Sequence, residues 1–483
     1  MGPNPAQRRI AESTALALGL VVLFGALYAV LARYALDAFP YSGDEYSLAL
    51  QAELMAKGLL KAPAPQHVEW LRVDHVVIDH WVRSKYPPGG PALLAIGARY
   101  GVAWLVGPIE SALTIGIVWH TVRRLLGARA ALVGLVTIAA APLFMFDAAS
   151  FYMHAPTLLF LAIAFASIAQ WTKCGCWPFL AIAGVAIGCA FLVRPIDALL
   201  FGATLLVFRS PRAVIIPALC AVPLVLINLW YQKQLFDGWF TDGYHAYHAT
   251  FIALYGESAA ENPVSLWHFV NPIQIWNHLD IYGQMCLQWT LPGTVIAALF
   301  GASAIDKDHP GRQAALKMRT FSIALIVVFC GALLVMVSNP DDGPHSRYLS
   351  PLLIPLALLA GAGFDPLCAA IAKRFGARVK VIFVVAGVVF GLAQFGSFLQ
   401  DRIPKVWKRE GLYRAAKTLP YGAVVIVRAQ YPSRYARNGP LFDGVLYLSA
   451  PETVSAVEVG SAYPDRPIYE AHEGVPWTIE RVR

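Results

Sequence analysis

Long stretches without a charged residue recur along this chain and restrict its fold more than any other feature. They lie at residues 13–32, 130–146, 148–172, 174–193, 213–232, 281–305, 320–340, 348–364 and 381–400. Most approach or exceed the roughly 17–25 apolar residues that a membrane-spanning helix needs. Only 14% of the residues are charged, against about 25% in a typical soluble domain. The sequence therefore predicts an all-α polytopic membrane protein and excludes a large soluble enzyme.

Lysine and arginine cluster at alternate ends of these stretches, which predicts an orientation. Arg8 and Arg9 precede the first stretch, so the N-terminus is expected in the cytoplasm, where positive residues are enriched. About 11 transmembrane helices satisfy the alternation. They are expected near 13–33, 106–123, 130–147, 151–171, 177–194, 196–208, 212–231, 284–304, 319–338, 347–365 and 379–399. This bias also explains the net charge of +8 without nucleic acid as a partner.

Two apolar segments fit this scheme less directly. The predicted span 196–208 is short and begins beside Pro195 and Asp197. The segment 91–105 is long enough to be another span. The charge alternation agrees with about 11 helices only if 91–105 lies along the membrane interface.

Three segments are expected outside the cytoplasm: a first loop at 34–105, a loop at 232–283 and a tail at 400–483. The tail contains two strand-like runs, Ala423–Val427 and Val445–Leu448, after a helix-like stretch, Glu410–Thr418. We therefore predict a transmembrane domain at 1–399 and a small C-terminal α/β domain at 400–483.

The predicted spans are nearly free of charge, and the ionisable residues collect at their outer ends. These residues are Asp44, Glu45, Lys85, Glu110, Asp147, His154, Arg194, Asp197, Asp341, Asp342, His345 and Arg347. Ion or proton transport would need polar groups through the middle of the membrane instead. The pattern favours chemistry or binding in one outward-facing cleft.

Each candidate has a structural interpretation beside the functional one. Asp44 and Glu45 are either catalytic carboxylates or the acidic first turn of a helix. Residues 72–91 are predicted to form a hairpin that enters a rigid Pro-Pro turn, where Gly89 and Gly90 let another group approach closely. Lys85 precedes this turn, in Lys-Tyr-Pro-Pro-Gly-Gly, and either meets a phosphate or reaches the interface as a snorkelling lysine. Arg194 either pairs with Asp197 or holds an anion.

Further candidates lie at the ends of later spans. His345, Arg347 and Tyr348 precede a late span, where a helix N-terminus with an arginine is suited to bind an anion. His154 lies at the outer end of another predicted span. A position at the membrane interface is enough to explain a histidine there. Aromatic residues are frequent at 230–289, which is typical of a membrane interface and also suits stacking on sugar rings.

Metal ligation is not indicated. Asp74, His75, Asp79 and His80 lie close together in the first loop, and Asp242, His245 and His248 in a later one. Neither group has the further distant ligand that a structural or catalytic site needs. The sequence therefore assigns no cofactor and no metal site. A divalent metal stays an open alternative that no motif indicates.

These features together resemble the GT-C superfamily of membrane glycosyltransferases, especially the branch near bacterial aminoarabinose transferases and protein O-mannosyltransferases. The resemblance covers about residues 10–365. Its motifs are Asp44-Glu45, Lys85-Tyr86-Pro-Pro-Gly, Arg123-Arg124-Leu-Leu-Gly, His154-Ala-Pro, Arg194-Pro and Arg347-Tyr348-Leu. Related transferases often carry an acidic residue where this chain has His154.

The resemblance implies transfer of a sugar, with inversion, from a polyprenyl-phosphate donor to an acceptor outside the cytoplasm. It implies a site in the bacterial inner membrane, serving the cell envelope. Asp44 would be the general base and Glu45 would orient the acceptor or share that role. The donor phosphate would meet Lys85, Tyr86, Arg194, His345 and Arg347, with weaker contributions from Asp147, His154 and Tyr348.

Two other classes remain open on the sequence alone. An O-antigen ligase or polymerase also uses lipid-linked sugars, but it would depend on arginine and histidine in a large late loop. A lipid-linked sugar flippase or other transporter would need an intramembrane polar path and usually internal repeats. A non-catalytic assembly protein with a degenerate site is a third option.

Overall fold

Helices make up most of the protein, and two small sheets lie at one end of the helical bundle. A computed structural model describes residues 5–255, 290–291, 293–303, 312–335, 346–450 and 453–483. The helices, labelled α1 to α16 in chain order, are Pro5–Val30, Gly43–Ala56, Gly89–Ala98, Val106–Leu126, Ala128–Ala139, Pro142–Ala149, His154–Cys174, Pro178–Val193, Pro195–Thr204, Pro211–Phe236, Gly243–Tyr255, Thr294–Ser303, Arg312–Val335, Leu353–Phe375, Ala377–Ala415 and Ala456–Ala462. The strands, labelled β1 to β7, are Ala62–Pro63, Val76–Ile78, Trp81–Ser84, Val424–Arg428, Leu446–Leu448, Ile468–His472 and Thr478–Arg481.

The predicted membrane class is confirmed, but the predicted number of spans is not. Among the described residues, 6 helical segments are long and apolar enough to cross a bilayer alone. They are Thr14–Ala35, Ala103–Leu126, His154–Cys174, Pro211–Phe236, Arg312–Ala332 and Tyr348–Phe375. Helices α5 and α6 together make a seventh candidate, although a bend of 63° separates them. The predicted span 130–147 therefore corresponds to two helices separated by a bend rather than to one straight helix.

Short apolar helices account for much of the difference from about 11 spans. Pro178–Val193, Pro195–Phe208 and Thr294–Ser303 fall below the length of a full span. Helix α3 has only 10 residues, about 15 Å at 1.5 Å per residue, so it is too short to cross. The predicted span 284–304 begins outside the described residues, and 379–399 lies in the first part of the 39-residue helix α15.

Small residues allow the bundle helices to approach closely. A side chain at Gly184 or Gly188 of α8 would collide with Pro217 or Leu224 of α10. Gly134 of α5 faces the carbonyl of Ala357 in α14 in the same way. Close backbone approach of this kind is how apolar helices gain packing energy where water does not drive association.

Basic residues from separate helices meet at one end of the bundle, which we call the basic end. Arg123 donates to Thr14 at 2.7 Å, and Lys173 donates to the carbonyl of Arg124 at 2.8 Å. Arg129 lies 3.4 Å from Asp365. These contacts bring together clusters that the charge alternation assigns to one side.

The opposite end, which we call the loop end, carries the first loop. Strands β2 and β3 form an antiparallel hairpin, with Val77 opposite Arg83, and β1 adds to β3. The hairpin predicted from the sequence before the Pro-Pro turn is therefore present. Asp79 at its tip accepts two bonds of 2.8 Å from Arg83, which hold the turn in place.

The tail forms a four-stranded sheet in the order β5-β4-β6-β7. Strand β4 is parallel to β5 and β6, and β7 is antiparallel to β6. The two strand-like runs predicted near 423–427 and 445–448 correspond to β4 and β5. The helix-like stretch Glu410–Thr418 is instead the last part of α15 and the short 3₁₀ turn that follows it.

The tail and the first loop share one hydrophobic core. Trp70, Leu71 and Val82 of the loop pack with Ile426 and Leu448 of the tail. The backbone N–H of Ser449 donates to the carbonyl of Trp70 at 2.8 Å. Helix α15 runs through residue 399, where we placed the domain boundary, and the tail packs on residues of the first loop.

Candidate functional site

The acidic pair lies at the first turn of α2. Ser42 caps the helix: the N–H of Glu45 donates to Ser42 Oγ at 3.2 Å, and Glu45 Oε2 accepts from the N–H of Ser42 at 3.0 Å. This reciprocal arrangement is a capping box. The other oxygen of Glu45 accepts from the N–H of Phe151 at 3.0 Å. Glu45 therefore joins the first loop to the start of α7.

Glu45 is buried, with 1% of its surface exposed. Burial raises the pKa of Glu45, and the bonds from Phe151 and Ser42 oppose that rise. The helix-cap interpretation of the acidic pair is thus realised by Glu45. Its side chain is committed to two backbone N–H groups rather than open to a ligand.

Asp44 has different surroundings from its neighbour. Its Oδ1 accepts a hydrogen bond from the hydroxyl of Tyr86 and lies 3.7 Å from Nε2 of His75. The Asp44 side chain remains 22% exposed. Asp44 is therefore the member of the acidic pair whose carboxylate a ligand could reach.

Lys85 lies immediately before Tyr86 and is 9% exposed. Its ammonium group lies 4.6 Å from the ring centre of Tyr244 and 4.9 Å from that of Tyr247. Both tyrosines belong to α11, whose first residue, Gly243, lies so close to the Lys85 carbonyl that any side chain there would overlap it. These ring faces attract the ammonium group and fix its position.

Glycines place the Pro-Pro turn against its neighbours. A side chain on Gly89 would lie 2.8 Å from the backbone of Leu192, and one on Gly90 would lie 2.9 Å from Met153. The close approach expected at these two glycines is therefore confirmed. It brings the start of α3 against the ends of α8 and α7, beside Arg194 and His154.

Arg194 is paired, as one of the two interpretations of the sequence required. Its Nε donates to Asp197 Oδ2 at 2.5 Å, and its Nη1 lies 3.4 Å from Nε2 of His154. The guanidinium also lies 5.1 Å from the ring centre of Tyr348. Arg194, Asp197 and His154 come from three different helix ends that the fold brings together.

The site therefore has two halves. The acidic half consists of Asp44, His75, Lys85, Tyr86, Tyr244 and Tyr247. The arginine half consists of His154, Arg194, Asp197 and Tyr348. The Pro-Pro turn connects them, because Gly89, three residues after Tyr86, packs against the backbone of Leu192, two residues before Arg194.

The remaining predicted site residues have other positions. Asp147 is 1% exposed, and its Oδ2 accepts from Ser350 Oγ at 2.8 Å. Arg347 lies in the 3₁₀ helix Ser346–Leu352, one residue before Tyr348. His345, Asp341 and Asp342 lie outside the described residues, as does much of the loop 232–283.

Glu110 of α4 lines a small cleft beside the acidic half, which has room for about one water molecule. It is 6% exposed, and its Oε1 has no hydrogen-bond partner among the residues that the structure describes. The walls of the cleft are mainly apolar and include Leu94, Phe151 and Met153. An unsatisfied buried carboxyl is costly, so this position is a weak point in stability or is kept for binding.

No metal site is evident among the described residues, because no three His, Cys, Asp or Glu side chains there come together as ligands. His75 contacts Asp44, while Asp79 is engaged by Arg83. His245 is bonded to Asp242 at 2.9 Å and is largely exposed.

Four contributors were not predicted for the site. His75 was considered only as a metal ligand, and Tyr244 and Tyr247 only as part of an interfacial aromatic run. Glu110 was noted only as one of the ionisable residues at helix ends. The Pro-Pro turn and the aromatic run were the signals available, but their contact joins residues 85 and 244, which no local pattern connects.

Comparison with known proteins finds one family model and several solved structures that are similar to this chain. Residues 87–231 match the family model described as dolichyl-phosphate-mannose-protein mannosyltransferase. No curated protein sequence matches the chain at a significant level.

Two solved proteins have a similar fold. ArnT from Cupriavidus metallidurans in the apo state has a TM-score of 0.54 and 14% identity, over 95% of this chain and 93% of that one. The undecaprenyl phosphate-bound form has a TM-score of 0.52. The archaeal oligosaccharyltransferase AglB from Archaeoglobus fulgidus, in complex with an inhibitory peptide and a dolichol-phosphate, has a TM-score of 0.51 and 12% identity, over 95% and 69%. The predicted resemblance to GT-C glycosyltransferases is thereby confirmed.

Proposed function

We propose that this chain is a membrane glycosyltransferase that moves a sugar from a polyprenyl-phosphate donor to an acceptor hydroxyl outside the cytoplasm. The observation that carries the proposal is the acidic half of the site. It sets a helix-terminal carboxylate, Asp44, and a buried cation, Lys85, on either side of Tyr86 at the loop end of a GT-C fold. The solved ArnT structure bound to undecaprenyl phosphate supports the class of donor.

In this proposal, Asp44 is the general base. The acceptor hydroxyl gives its proton to Asp44 while its oxygen bonds to the anomeric carbon. The bond from that carbon to the phosphate oxygen breaks, and the electron pair stays on the phosphate. Direct displacement inverts the anomeric configuration. Proton transfer of this kind contributes typically about 10²–10⁴-fold to a rate.

Lys85 stabilises the negative charge that grows on the leaving phosphate. Its position against two tyrosine rings fixes the ammonium group before the substrate arrives, and preorganised charge is effective because it need not reorganise during the reaction. Arg194 supplies further positive charge from the arginine half, and the sequence adds Arg347 and His345 as further candidates. Because Asp197 already occupies Arg194, we assign the larger role to Lys85.

Glu45 positions the acidic half in this mechanism, since both of its oxygens accept backbone N–H groups. His154 has the same kind of role in the arginine half, where it lies against Arg194. The Tyr86 hydroxyl orients the carboxylate of Asp44.

The proposed location is the bacterial cytoplasmic membrane, with the N-terminus inside and the loop end and tail outside. The meeting of Arg123, Lys173 and Arg129 at the basic end supports this orientation, because positive residues are enriched on the cytoplasmic side. A polyprenyl phosphate would keep its chain in the bilayer and its phosphate at the level of the loop end.

The test is sugar transfer or release by purified protein from radiolabelled polyprenyl-phosphate sugars, with several sugars compared. Asp44→Asn keeps the size and the contact with Tyr86 but removes the base, so turnover is expected to fall about 10²–10⁴-fold. Asp365→Asn, at the basic end, is the matched control and should be unchanged. Donor binding by Asp44→Asn should persist.

Equal turnover by wild type and Asp44→Asn would contradict the assigned mechanism. Failure of wild type to bind any polyprenyl-phosphate sugar would contradict the proposed substrate class. Hydrolysis of the donor without an acceptor would still count as support, because the same base can activate water.

A further inference from the structure

Three arginines from α15 and the tail converge on Tyr41, the residue before the cap of α2. Arg402 donates to the Tyr41 hydroxyl at 2.6 Å. Arg409 and Arg437 both donate to the Tyr41 carbonyl. We call Arg402, Arg409 and Arg437 the arginine clamp. Tyr41 is adjacent to Ser42, so the clamp forms its hydrogen bonds just before the helix whose first turn contains the acidic pair.

A second contact holds the other side of the same turn. The Tyr46 hydroxyl donates to the carbonyl of Asn438 at 2.7 Å and accepts from the Asn438 N–H at 2.8 Å. Asn438 is in turn bonded to both backbone groups of Tyr447 in β5, at 2.9 and 2.7 Å. The tail thus holds α2 directly before and directly after Asp44.

Arg437 is an unusual residue to bury for stability alone. It is 6% exposed, and its Nη1 has no hydrogen-bond partner among the residues that the structure describes. Its guanidinium lies 5.1 Å from the ring centre of Phe39 and 5.3 Å from that of Tyr46, and it interacts electrostatically with Glu45. A buried charge that is only partly satisfied costs free energy, so its placement calls for a role beyond packing.

We propose that Arg437 and Arg409 are positioning residues for the transfer reaction: the tail holds the Tyr41 carbonyl and thereby sets the direction of Asp44. This inference rests on the proposed function. The physical path is short, since Tyr41 precedes Ser42, Ser42 caps α2 through the capping box, and Asp44 lies in the first turn of that helix. The tail therefore acts as part of the catalytic scaffold.

The size of the effect follows from the distances that catalysis tolerates. A shift of about 1 Å at a reacting group costs roughly 10²-fold in rate. Loss of the clamp should lower kcat and leave binding of the donor nearly unchanged, because Lys85 and Arg194 are not bonded to the clamp. A purely structural role would instead lower thermal stability without a selective change in kcat.

The experiment compares Arg437→Ala and Arg437→Lys with Arg428→Ala in the full-length protein. Arg428 is a half-buried tail arginine that pairs with Glu470 at 2.7 Å, within the sheet. Measured quantities are kcat, KM for a polyprenyl-phosphate sugar, binding of unsubstituted polyprenyl phosphate and Tm. We expect Arg437→Ala to lower kcat about 10- to 100-fold with little change in KM or phosphate binding. Arg437→Lys should recover part of kcat, since it keeps the charge but not the planar fork.

Arg428→Ala should lower Tm and leave kcat unchanged. If Arg437→Ala and Arg428→Ala both lower Tm and both keep the wild-type kcat, the clamp is only structural and the proposal is wrong. If Arg437→Ala does not fold, Tyr46→Phe and Arg409→Ala answer the same question, because the first removes the hydrogen bonds to Asn438 and the second removes the bond to the Tyr41 carbonyl. Wild-type kcat in both of these variants would overturn the proposal.

Asp44→Asn is measured in the same series to separate the two ideas. In one outcome, wild type is active, Asp44→Asn is inactive and all clamp variants are fully active. That outcome would refute the clamp and leave the proposed function intact. Full activity of Asp44→Asn would refute the assigned base itself. A loss of kcat in Arg437→Ala and not in Arg428→Ala would support the clamp.

Discussion

The two halves of the site hold their charges in opposite ways. In the arginine half, the cation already has a carboxylate: Arg194 and Asp197 are 2.5 Å apart and both are nearly buried. In the acidic half, Asp44 and Lys85 share the neighbour Tyr86 but are held by phenol, imidazole and ring faces. The arginine half contains a close ion pair, whereas Asp44 and Lys85 in the acidic half contact a phenol, an imidazole and aromatic rings.

This difference separates residues that hold the structure from residues suited to react. In a buried ion pair, each charge compensates the other. Removing one partner therefore leaves an uncompensated buried charge. A cation held on aromatic faces keeps its formal charge. We therefore expect substitutions in the acidic half to act on the rate, and substitutions in the arginine half to act first on stability.

The largest effect in the acidic half besides that of Asp44 is expected for Lys85. Lys85→Gln should lower kcat by about 10²–10³-fold, because one preorganised charge on the leaving group is lost. The melting temperature should fall little, because the glutamine side chain can still pack against the rings of Tyr244 and Tyr247. The measurement is single-turnover transfer from a labelled donor.

Lys85→Arg is the matched control, because it keeps the charge but changes its shape. It should retain more activity than Lys85→Gln. If both variants had the same kcat as wild type, the leaving phosphate would have to be stabilised by the arginine half, and the comparison between the halves would fail.

The next largest effect is expected for the ion pair of Arg194 and Asp197. Asp197→Asn should lower the free energy of unfolding by about 3 kcal/mol, because it leaves Arg194 buried without its carboxylate. The loss of activity should follow the loss of folded protein. Thermal unfolding in detergent and specific activity of the folded fraction measure the two effects separately.

A double substitution, Arg194→Leu with Asp197→Leu, sharpens this test. Removing both partners should restore much of the stability that either single change costs. If the double variant were stable but inactive, Arg194 would have a role toward substrate beyond its pair with Asp197.

A smaller gain in stability is expected at Glu110. Glu110→Leu removes a buried carboxyl oxygen that has no partner among the described residues, so it should stabilise the protein by about 1–3 kcal/mol. Glu110→Gln is the control that keeps a polar group of the same size. Destabilisation by the leucine variant would show that the carboxyl has a partner such as an internal water, and a stable but inactive variant would assign the cleft to substrate.

The smallest effect is expected at Glu45, and it depends on pH. Burial raises the pKa of Glu45 in the folded state, so its stabilising contribution is full below its unfolded pKa of about 4.3 and is lost as pH rises through the raised value. Glu45→Gln keeps the capping box and has no such loss. Its Tm relative to wild type should therefore increase from about pH 4 to pH 8.

Activity of Glu45→Gln should stay within about tenfold of wild type, as loss of one modest hydrogen bond allows. Parallel Tm curves for wild type and Glu45→Gln would contradict the burial of an ionisable group at this position. A loss as large as that of Asp44→Asn would make Glu45 a second catalytic carboxylate and would remove the distinction between the two.

Much of the fold was predictable because its signals are local. Membrane-length apolar stretches, the hairpin before the Pro-Pro turn and the strands at 424–428 and 446–448 all depend on residues close together in the sequence. The number of spans was less predictable, since a bend such as that between α5 and α6 depends on what packs against it. Continuity of α15 into the tail was missed because the sequence changes composition there while the helix does not end.

The site was predictable only in part for the same reason. Asp44, Lys85 and Tyr86 were identified from motifs that lie within single turns. Whether Arg194 would pair with Asp197 stayed open, because both outcomes fit the same spacing. The ring contacts of Lys85 with Tyr244 and Tyr247 join segments far apart in the chain.

By itself, the sequence determined that this chain lies in a membrane, that its ionisable groups gather at helix ends, and that an acidic pair precedes a Lys-Tyr-Pro-Pro turn. These properties follow from hydrocarbon thickness and the cost of buried charge, which act on each segment separately. Only the tertiary structure decided that Glu45 is a cap while Asp44 is open, and that Arg437 grips Tyr41. Such contacts join residues almost 400 positions apart, and they exist only when the loop and the tail are packed on each other.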